Sequence, residues 1–503
     1  MSLAYNLKPF TKQNLEKIHQ NSLKILAEIG VKLPNKTIQD LFRSKGAKVD
    51  TARNIVRMPP ELVEGAVQTQ IANNRKYYNK RRNYPLPGEH VRGWMSLGNL
   101  GMIADYQSQT WRKGRLKDVL ESIVLANQLP FIERVTCFAE PQELDRKLID
   151  VVYFYLLSLF SAKRFFLVPV YSLQSAKCLI EMAEAIADDE LQLRDGSLIE
   201  YELEPVANLE FSPDHLQIAL EFARHKLKIL VGHYCLAGKD SPMDYESAIT
   251  LTNANILAAI AIVILINPDH FALDYIFPAH GIKSPDEPRP LFGSPNQVLF
   301  SIAARQLADF YGFRNALANT ALSDSCRNDF QSGFERGVTA AAGLWCGNTG
   351  LGLQGIAGAD QAVSQDELVI DNDQINYLDY IFRMVDSINN QEIDLESIEE
   401  VGIGGSFLAR SDTVARMRDV YWDSPVFSAQ AYENWRNRKD QDKLRAQRVR
   451  DEILSDKFPP IPVISKEMIK KLDMIIQDYI QDEEQYQAFQ QLLRNVLQRE
   501  MDE

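Results

Sequence analysis

The sequence predicts an α/β fold, a closed (β/α)8 TIM barrel with an N-terminal helical cap and a C-terminal helical extension. Two observations carry the prediction. Beyond Gly98, apolar runs of strand length alternate with helix-length segments about eight times over roughly 300 residues, which calls for parallel strands joined by crossovers and favours closure over an open sheet. On either side the alternation stops and helical periodicity remains, so the chain divides into a cap and linker at 1–93, a barrel at 94–405 and an extension at 406–503.

Thr11 caps a first helix in which Leu15, Ile18, Leu23, Leu26 and Ile29 recur at three- and four-residue intervals before Gly30. Asn35 or Thr37 opens a second short helix through Leu41 and Phe42 that ends at Gly46. A short strand at 55–58 follows, then Pro59-Pro60 starts a helix over 61–70, proline being tolerated in a first turn. Residues 71–93 are basic, proline-containing and aperiodic and read as a surface connection, with the run RKYYNKRR solvated on an acidic protein.

In the barrel, helices are expected at 118–129, 144–160, 175–187, 215–226, 245–266, 296–310 and 333–346. Strands are expected at 131–138, 165–171, 207–211, 229–236, 271–277 and 315–322. Two proline- and charge-rich insertions, 188–205 and 278–295, interrupt the alternation and belong on loops. After a turn at GIGGSF, helices are expected over 412–420, 429–454 and 467–499. The stripe Leu472, Ile475, Ile476 and Tyr479 should pack on the barrel or on another subunit.

Composition excludes several functions. Lys plus Arg at 55 against Asp plus Glu at 68 gives 55 − 68 = −13, a surface that repels a phosphate backbone, so nucleic acid is not an expected partner. Five cysteines, Cys137, Cys178, Cys235, Cys326 and Cys346, form no CxxC pair and suit a reducing cytoplasm. The longest unbroken apolar run, 256–266, is shorter than the ~20 residues of a membrane span, and no export signal opens the chain, so a cytoplasmic protein is expected. There is no GxxxxGK[ST], HExxH or GxSxG, and no GxGxxG placed after a strand. The seven histidines lack the spacing of a ligand pair on one helix face, so no metal site is expected.

Polar residues gather among glycines between Ser323 and Asp371. Asp324, Asp329, Gln331 and Glu335 fall within one short segment, and a small-residue helix then runs into a glycine-rich stretch holding Gly352 and Gly355, where backbone can approach a ligand. Barrel enzymes carry reactive groups at the C-terminal ends of their strands. These ends are expected near Glu140, Tyr171, Phe211, Tyr234, Phe277, Asp324 and the glycine run. Rings and carboxylates there suit a cation, with Tyr171, Tyr234, Phe277 and Trp345 as candidate rings and Asp324, Asp329 and Gln331 as polar partners. No residue is assigned a catalytic role.

Several strings in order resemble the trimethylamine methyltransferase family, in its branch without pyrrolysine that acts on quaternary amines such as glycine betaine. They are HQNSLKILAEIGVKLPN, IVRMPPELVEGAV, GNLGMIADYQSQTWRKGRLKDV with Asp105, Arg112 and Asp118, SDSCRNDFQSGFERG, SQDELVID and VGIGGSFL. The resemblance implies a barrel whose mouth receives the corrinoid (cobalamin) of a partner protein, a methylated amine as substrate, and methyl transfer from a quaternary or tertiary methylamine to cobalt, with no tightly bound cofactor of the chain's own. A homo-oligomer is expected. The chain departs from the family where Asn255, Ile264 and Asn296 align by eye with Glu, Gln and Glu, where Cys326 replaces Lys, and at Gly352, near which the family often has His. The alternative reading is a degenerate barrel that binds a small molecule without chemistry.

Overall fold

Eight parallel strands form a ring: β1 (Arg92–Met95), β2 (Ile132–Val135), β3 (Arg164–Phe165), β4 (Glu200–Leu203), β5 (Lys228–Val231), β6 (Tyr275–Ile276), β7 (Ala316–Leu317) and β8 (Gly350–Gln354). The structure, a computed structural model, describes residues 8–80, 91–96, 101–165, 168–271, 273–276, 279–284, 287–313, 316–317, 321–348, 350–390, 392–437 and 445–498. Parallel ladders join β8–β1–β2–β3 and β4–β5–β6–β7. The two arcs meet where the Phe165 N–H donates to Ser197 O at 3.0 Å beside β4, and where β7 lies against β8. The ring is closed, as the alternation predicts.

Each strand is followed by its helix: α1 (Leu116–Gln128), α2 (Ile149–Phe160), α3 (Leu173–Ile186), α4 (Pro213–Arg224), α5 (Tyr245–Ile266), α6 (Pro295–Tyr311), α7 (Phe330–Trp345) and α8 (Gln365–Asn390). Their starts obey local rules. Ser172, Ser212, Asp244 and Asp329 each accept a hydrogen bond from a backbone N–H of the first turn.

The two terminal regions cover the outer faces of these helices. Helices Lys12–Lys24, Lys36–Ser44 and Pro60–Lys80 lie over α5. Ser22 Oγ donates to Thr250 O at 2.9 Å, and Asn253 Nδ2 donates to Ser22 Oγ at 2.9 Å. With 22 residues and a mean hydropathy of 2.3 in its most apolar window, α5 is long and apolar enough to cross a membrane, yet 83% of that window is buried here. At the other end Arg445–Lys457 packs on α1 and α8, Lys466–Ile480 on α2 and α3, and Glu483–Gln498 on α1. Leu472 and Ile476 of the expected stripe are fully buried, so that stripe faces the barrel.

Four elements differ from the sequence reading. The segment 207–211 is no barrel strand; it makes only isolated bridges, and β4 lies earlier, inside the stretch read as an insertion. The third N-terminal helix continues through Lys80 instead of ending at 70. Its buried face there is polar: Asn74 Nδ2 donates to Leu273 O at 2.9 Å, and Tyr77 stacks on Phe271 with centroids 4.7 Å apart. Helix 429–454 resolves into Tyr432–Arg436 and Arg445–Lys457, with 438–444 outside the described residues. Helix 467–499 is two helices, broken where Gln481 turns to φ +56°.

The other insertion, 278–295, carries a hairpin (Ala279–Ser284 with Glu287–Leu291) that extends a strand at Cys235–Ala237 beyond β5 and β6. Beyond β8 and β1 a second small sheet joins hairpins Met102–Asp105/Thr110–Lys113 and Ile356–Ala357/Ala362–Val363. These two sheets stand over opposite sides of the barrel mouth.

Candidate functional site

Strand β4 sets the site. Tyr201 packs outward on Phe222 of α4, centroids 5.3 Å apart, so by strand alternation Glu200, Glu202 and Glu204 face into the barrel. At the lowest level Glu200 is neutralised: Arg134 of β2 donates to it at 2.9 Å and Lys228 of β5 lies 3.1 Å away. Arg134 also stacks over the Trp94 ring of β1 at 5.9 Å. The lower barrel is therefore a closed, charge-balanced plug.

Above that plug the balance fails. Glu202 and Glu204 have no ion-pair partner among the described residues; Glu204 accepts the backbone N–H of Tyr234. Burial, with Glu204 and Glu200 as neighbours, raises the Glu202 carboxyl to about 8, and burial raises Glu204 as well. Across the mouth Asp360 sits in the tight turn of the 356–363 hairpin, pushed to about 7 by burial alone. Glu202, Glu204 and Asp360 each keep partial solvent contact although protein surrounds them. Tyr234, 36% exposed, stands between Glu204 and Asp360, and its hydroxyl is pushed upward by burial and by both acids.

Glycine 232 leaves room for this arrangement, because a Cβ there would lie 2.6 Å from Glu202 Oε1. Thr136 and Ser96, at the ends of β2 and β1, share their strands' inward faces with Arg134 and Trp94. Both hydroxyls are buried without a hydrogen-bond partner. His233, facing away from the pocket, is buried and held at about 4, hence neutral.

Apart from Asp360, most polar side chains of 323–371 are held by neighbouring protein groups. Arg336 of α7, wholly buried, lies 2.9 Å from Glu367 and donates to Asp371 at 3.0 Å, to Ala321 O at 3.1 Å and to Ile356 O. Glu367 also accepts the Tyr106 hydroxyl at 2.7 Å, and Asp371 accepts the Gly355 N–H at 2.6 Å. One guanidinium thus welds three loops of the mouth to α8. Asp324 accepts the N–H groups of Phe292 at 2.7 Å and Gly293 at 3.2 Å, its carboxyl raised by burial and lowered by those two donors. Asp329, not Asp324, caps α7; burial opposes its ionisation, but Ser332, Arg327 and Ser325 hold it below the usual range. Gln331 donates to Glu335 at 2.8 Å on the exposed helix surface.

Of the expected rings, Tyr234 is in the pocket. Tyr171, 43% exposed beyond β3, is raised to about 12 by burial and by Glu140. Phe277 lies outside the described residues. Trp345 ends α7, and because barrel helices run antiparallel to their strands it sits at the opposite face from the mouth. Gly352 is inside β8, whose sequence GLGLQ is the strand itself. Gly355, at φ +86°, turns the chain where a Cβ would meet the Phe138 ring at 2.5 Å. Asn255 and Ile264 belong to the outer helix α5, and Asn296, in the first turn of α6, bonds the Tyr245 hydroxyl. Cys326 is exposed in the 321–329 loop. Arg112 pairs with Asp118 at 2.6 Å, anchoring the first hairpin to α1.

Sequence reasoning missed Glu202, Glu204, Asp360, Thr136 and Ser96. The acids of 200–204 do alternate with apolar residues, a strand signal whose polar face points inward here.

A family model described as Trimethylamine methyltransferase (MTTB) matches residues 3–486. The glycine betaine methyltransferase of Desulfitobacterium hafniense (strain Y51) is 25% identical over 477 residues, covering 94% of this chain and 96% of that protein. Trimethylamine methyltransferase MttB2 of Methanosarcina mazei is 25% identical over 491 residues, covering 93% and 94%. Among solved structures, the monomethylamine methyltransferase (MtmB) of Methanosarcina barkeri aligns with a TM-score of 0.41 and 11% identity over 76% of this chain and 79% of that chain.

Proposed function

The chain belongs to the trimethylamine methyltransferase family and is a methyltransferase, and from that premise we propose that it moves a methyl group from a quaternary or tertiary methylamine to the cobalt of a corrinoid held by a partner protein. The observation that supports this reading is the pocket of Glu202, Glu204, Tyr234 and Asp360 at the C-terminal end of a closed barrel, where family relatives named for methylated amines would present a cation to carboxylates and a ring.

The corrinoid fits as a partner's group. His233 at the mouth is buried facing away from the acids, so it would not ligate cobalt, while Tyr234 and Tyr171 are partly exposed at the same end of the barrel. A partner's cobalt(I) corrinoid would supply the nucleophile that takes the methyl group, the amine keeping the electron pair of the C–N bond that is broken. The chain's own residues do the rest. Glu202, Glu204 and Asp360 attract the ammonium, Tyr234 offers a ring face to its methyl groups, and the walls exclude water and hold one methyl outward in line. A quaternary substrate would release a neutral tertiary amine that needs no proton, so no general acid is required for it.

The described cysteines form no disulfide, and four of the five are buried, which supports a reducing, cytoplasmic setting. Exposed apolar side chains along the C-terminal stretch, among them Leu408, Val414 and Tyr421, support a homo-oligomer. The test mixes the pure protein with reduced cobalamin and a panel of methylated amines and follows the absorbance change of methyl transfer. A flat spectrum for every amine, alongside measurable binding of one, sinks the transferase reading and leaves a binding protein.

A further inference from the structure

We infer that the ligand of the mouth pocket is an ammonium cation carrying no carboxylate of its own, selected by Glu202, Glu204 and Asp360 around Tyr234. This rests on the reading of the chain as an amine methyltransferase and deepens it by naming the charge class of the substrate.

Glu202 meets Glu200 and Glu204 on its own strand, and Gly232 and Ile276 across from it. Glu204 accepts the Tyr234 N–H, and the charge of Asp360 bears on the Tyr234 hydroxyl. Of the described cations nearby, Arg134 and Lys228 hold Glu200 one level lower, and the charge of Arg289, on the hairpin 287–291, bears on Asp324. A zwitterion placed here would bring its carboxylate among three acids with no described cation to receive it.

A second observation, independent of the acids, points to a ligand at the same level. Arg134 and Glu200 meet across the barrel, so two residues further along each strand Thr136 and Glu202 face the next layer together. Thr136 Oγ1 is fully buried and unpartnered there, and Ser96 Oγ, inward on β1, is likewise unpartnered. A buried hydroxyl without a partner is costly, and a ligand's polar atom would satisfy it. These hydroxyls supply hydrogen bonds but no positive charge.

Backbone conformation adds a third observation. Ala359 at φ +51° and Asp360 at φ +64° both take the left-handed region that non-glycine residues avoid. The turn is pinned by the Gly358 N–H to Ser325 O at 2.9 Å and the Gln361 N–H to Ala357 O at 3.3 Å. The strain is held in place by neighbouring loops and aims a carboxylate across the mouth.

A proton accompanies binding. With Glu202 near 8 and Asp360 near 7, the empty pocket is partly protonated at neutral pH. A bound cation draws the carboxyls to the charged form, and the displaced proton goes to solvent. Affinity therefore rises with pH and levels off above about 8.

The test is isothermal titration of the full chain at pH 7.5 with tetramethylammonium, choline and glycine betaine, in phosphate and in Tris, which differ in ionisation heat. Tetramethylammonium and choline should bind with proton release, and glycine betaine about tenfold more weakly or worse. Glu202→Gln and Asp360→Asn should each weaken the cations by about tenfold, with intact thermal melts. The inference is overturned if glycine betaine binds as tightly as choline, if neither substitution changes cation affinity, or if no cation binds. A cation that binds with proton release but donates no methyl group to reduced cobalamin removes the transferase reading alone.

Discussion

Replacing Arg336 with Met tests whether one side chain holds the mouth together. The substitution keeps much of the aliphatic volume while removing a guanidinium that bonds Glu367, Asp371, Ala321 O and Ile356 O. It leaves two carboxylates and two carbonyls in an interior where Glu367 and Asp371 have essentially no exposure. Breaking a buried pair by removing one partner costs about 3–5 kcal/mol, because the other charge stays buried and uncompensated. Asp371 already stands near 7 beside Arg336, so without it the carboxyl binds its proton more tightly still. The sign follows: the variant's deficit is smaller at pH 5.5, where Asp371 is neutral, and larger at pH 8. Urea unfolding followed by circular dichroism at both pH values measures the loss, and hydrogen exchange at the Gly355 amide locates it. Adding Glu367→Gln and Asp371→Asn should restore roughly half of the deficit or more, since the buried charges are then gone. A single-variant loss under about 1 kcal/mol, or a triple variant as unstable as the single, refutes the weld.

Other outcomes follow from separate features. Gly355→Ala should cost at least about 1–3 kcal/mol in the same unfolding assay, for the left-handed φ and the 2.5 Å approach to Phe138. Asp329→Ala should cost about 1 kcal/mol for the lost helix cap while leaving cation binding unchanged by titration calorimetry. Glu202, raised from 4.5 to about 8, contributes stability that is complete below pH 4.5 and lost as pH climbs through 8. Glu202→Gln should accordingly raise the melting temperature of the empty protein at pH 8.5 relative to wild type and shift it little at pH 5; an unchanged difference between the two pH values counts against the assignment.

The barrel was legible because its helices are long and periodic: α1, α3, α4, α6 and α7 begin and end within a few residues of the sequence reading. Strands of two to four residues, such as Arg164–Phe165 and Tyr275–Ile276, are too short to fix by pattern, and the apolar stretches around them read longer than the ladders. Strand β4 went unseen for a different reason. Its inward face is acidic, so EYELE looks like a solvated insertion and lacks the apolar run of a buried parallel strand. The residues of 323–371 drew attention correctly as unusual, but a buried Arg with two acids looks the same in sequence whether it grips a ligand or neighbouring loops. Asp360 lies in that stretch but was not singled out, since only the folded hairpin brings its charge to bear on Tyr234.

The burial of α5 bears on how the protein is made. Its covering helices, Lys12–Lys24, Lys36–Ser44 and Pro60–Lys80, leave the ribosome well before Tyr245–Ile266 does, so a receptor for that greasy rod already exists when it emerges. A fragment trimmed to the catalytic ring alone would present a rod of about 33 Å with nothing to shelter it, inviting aggregation or stray insertion into lipid.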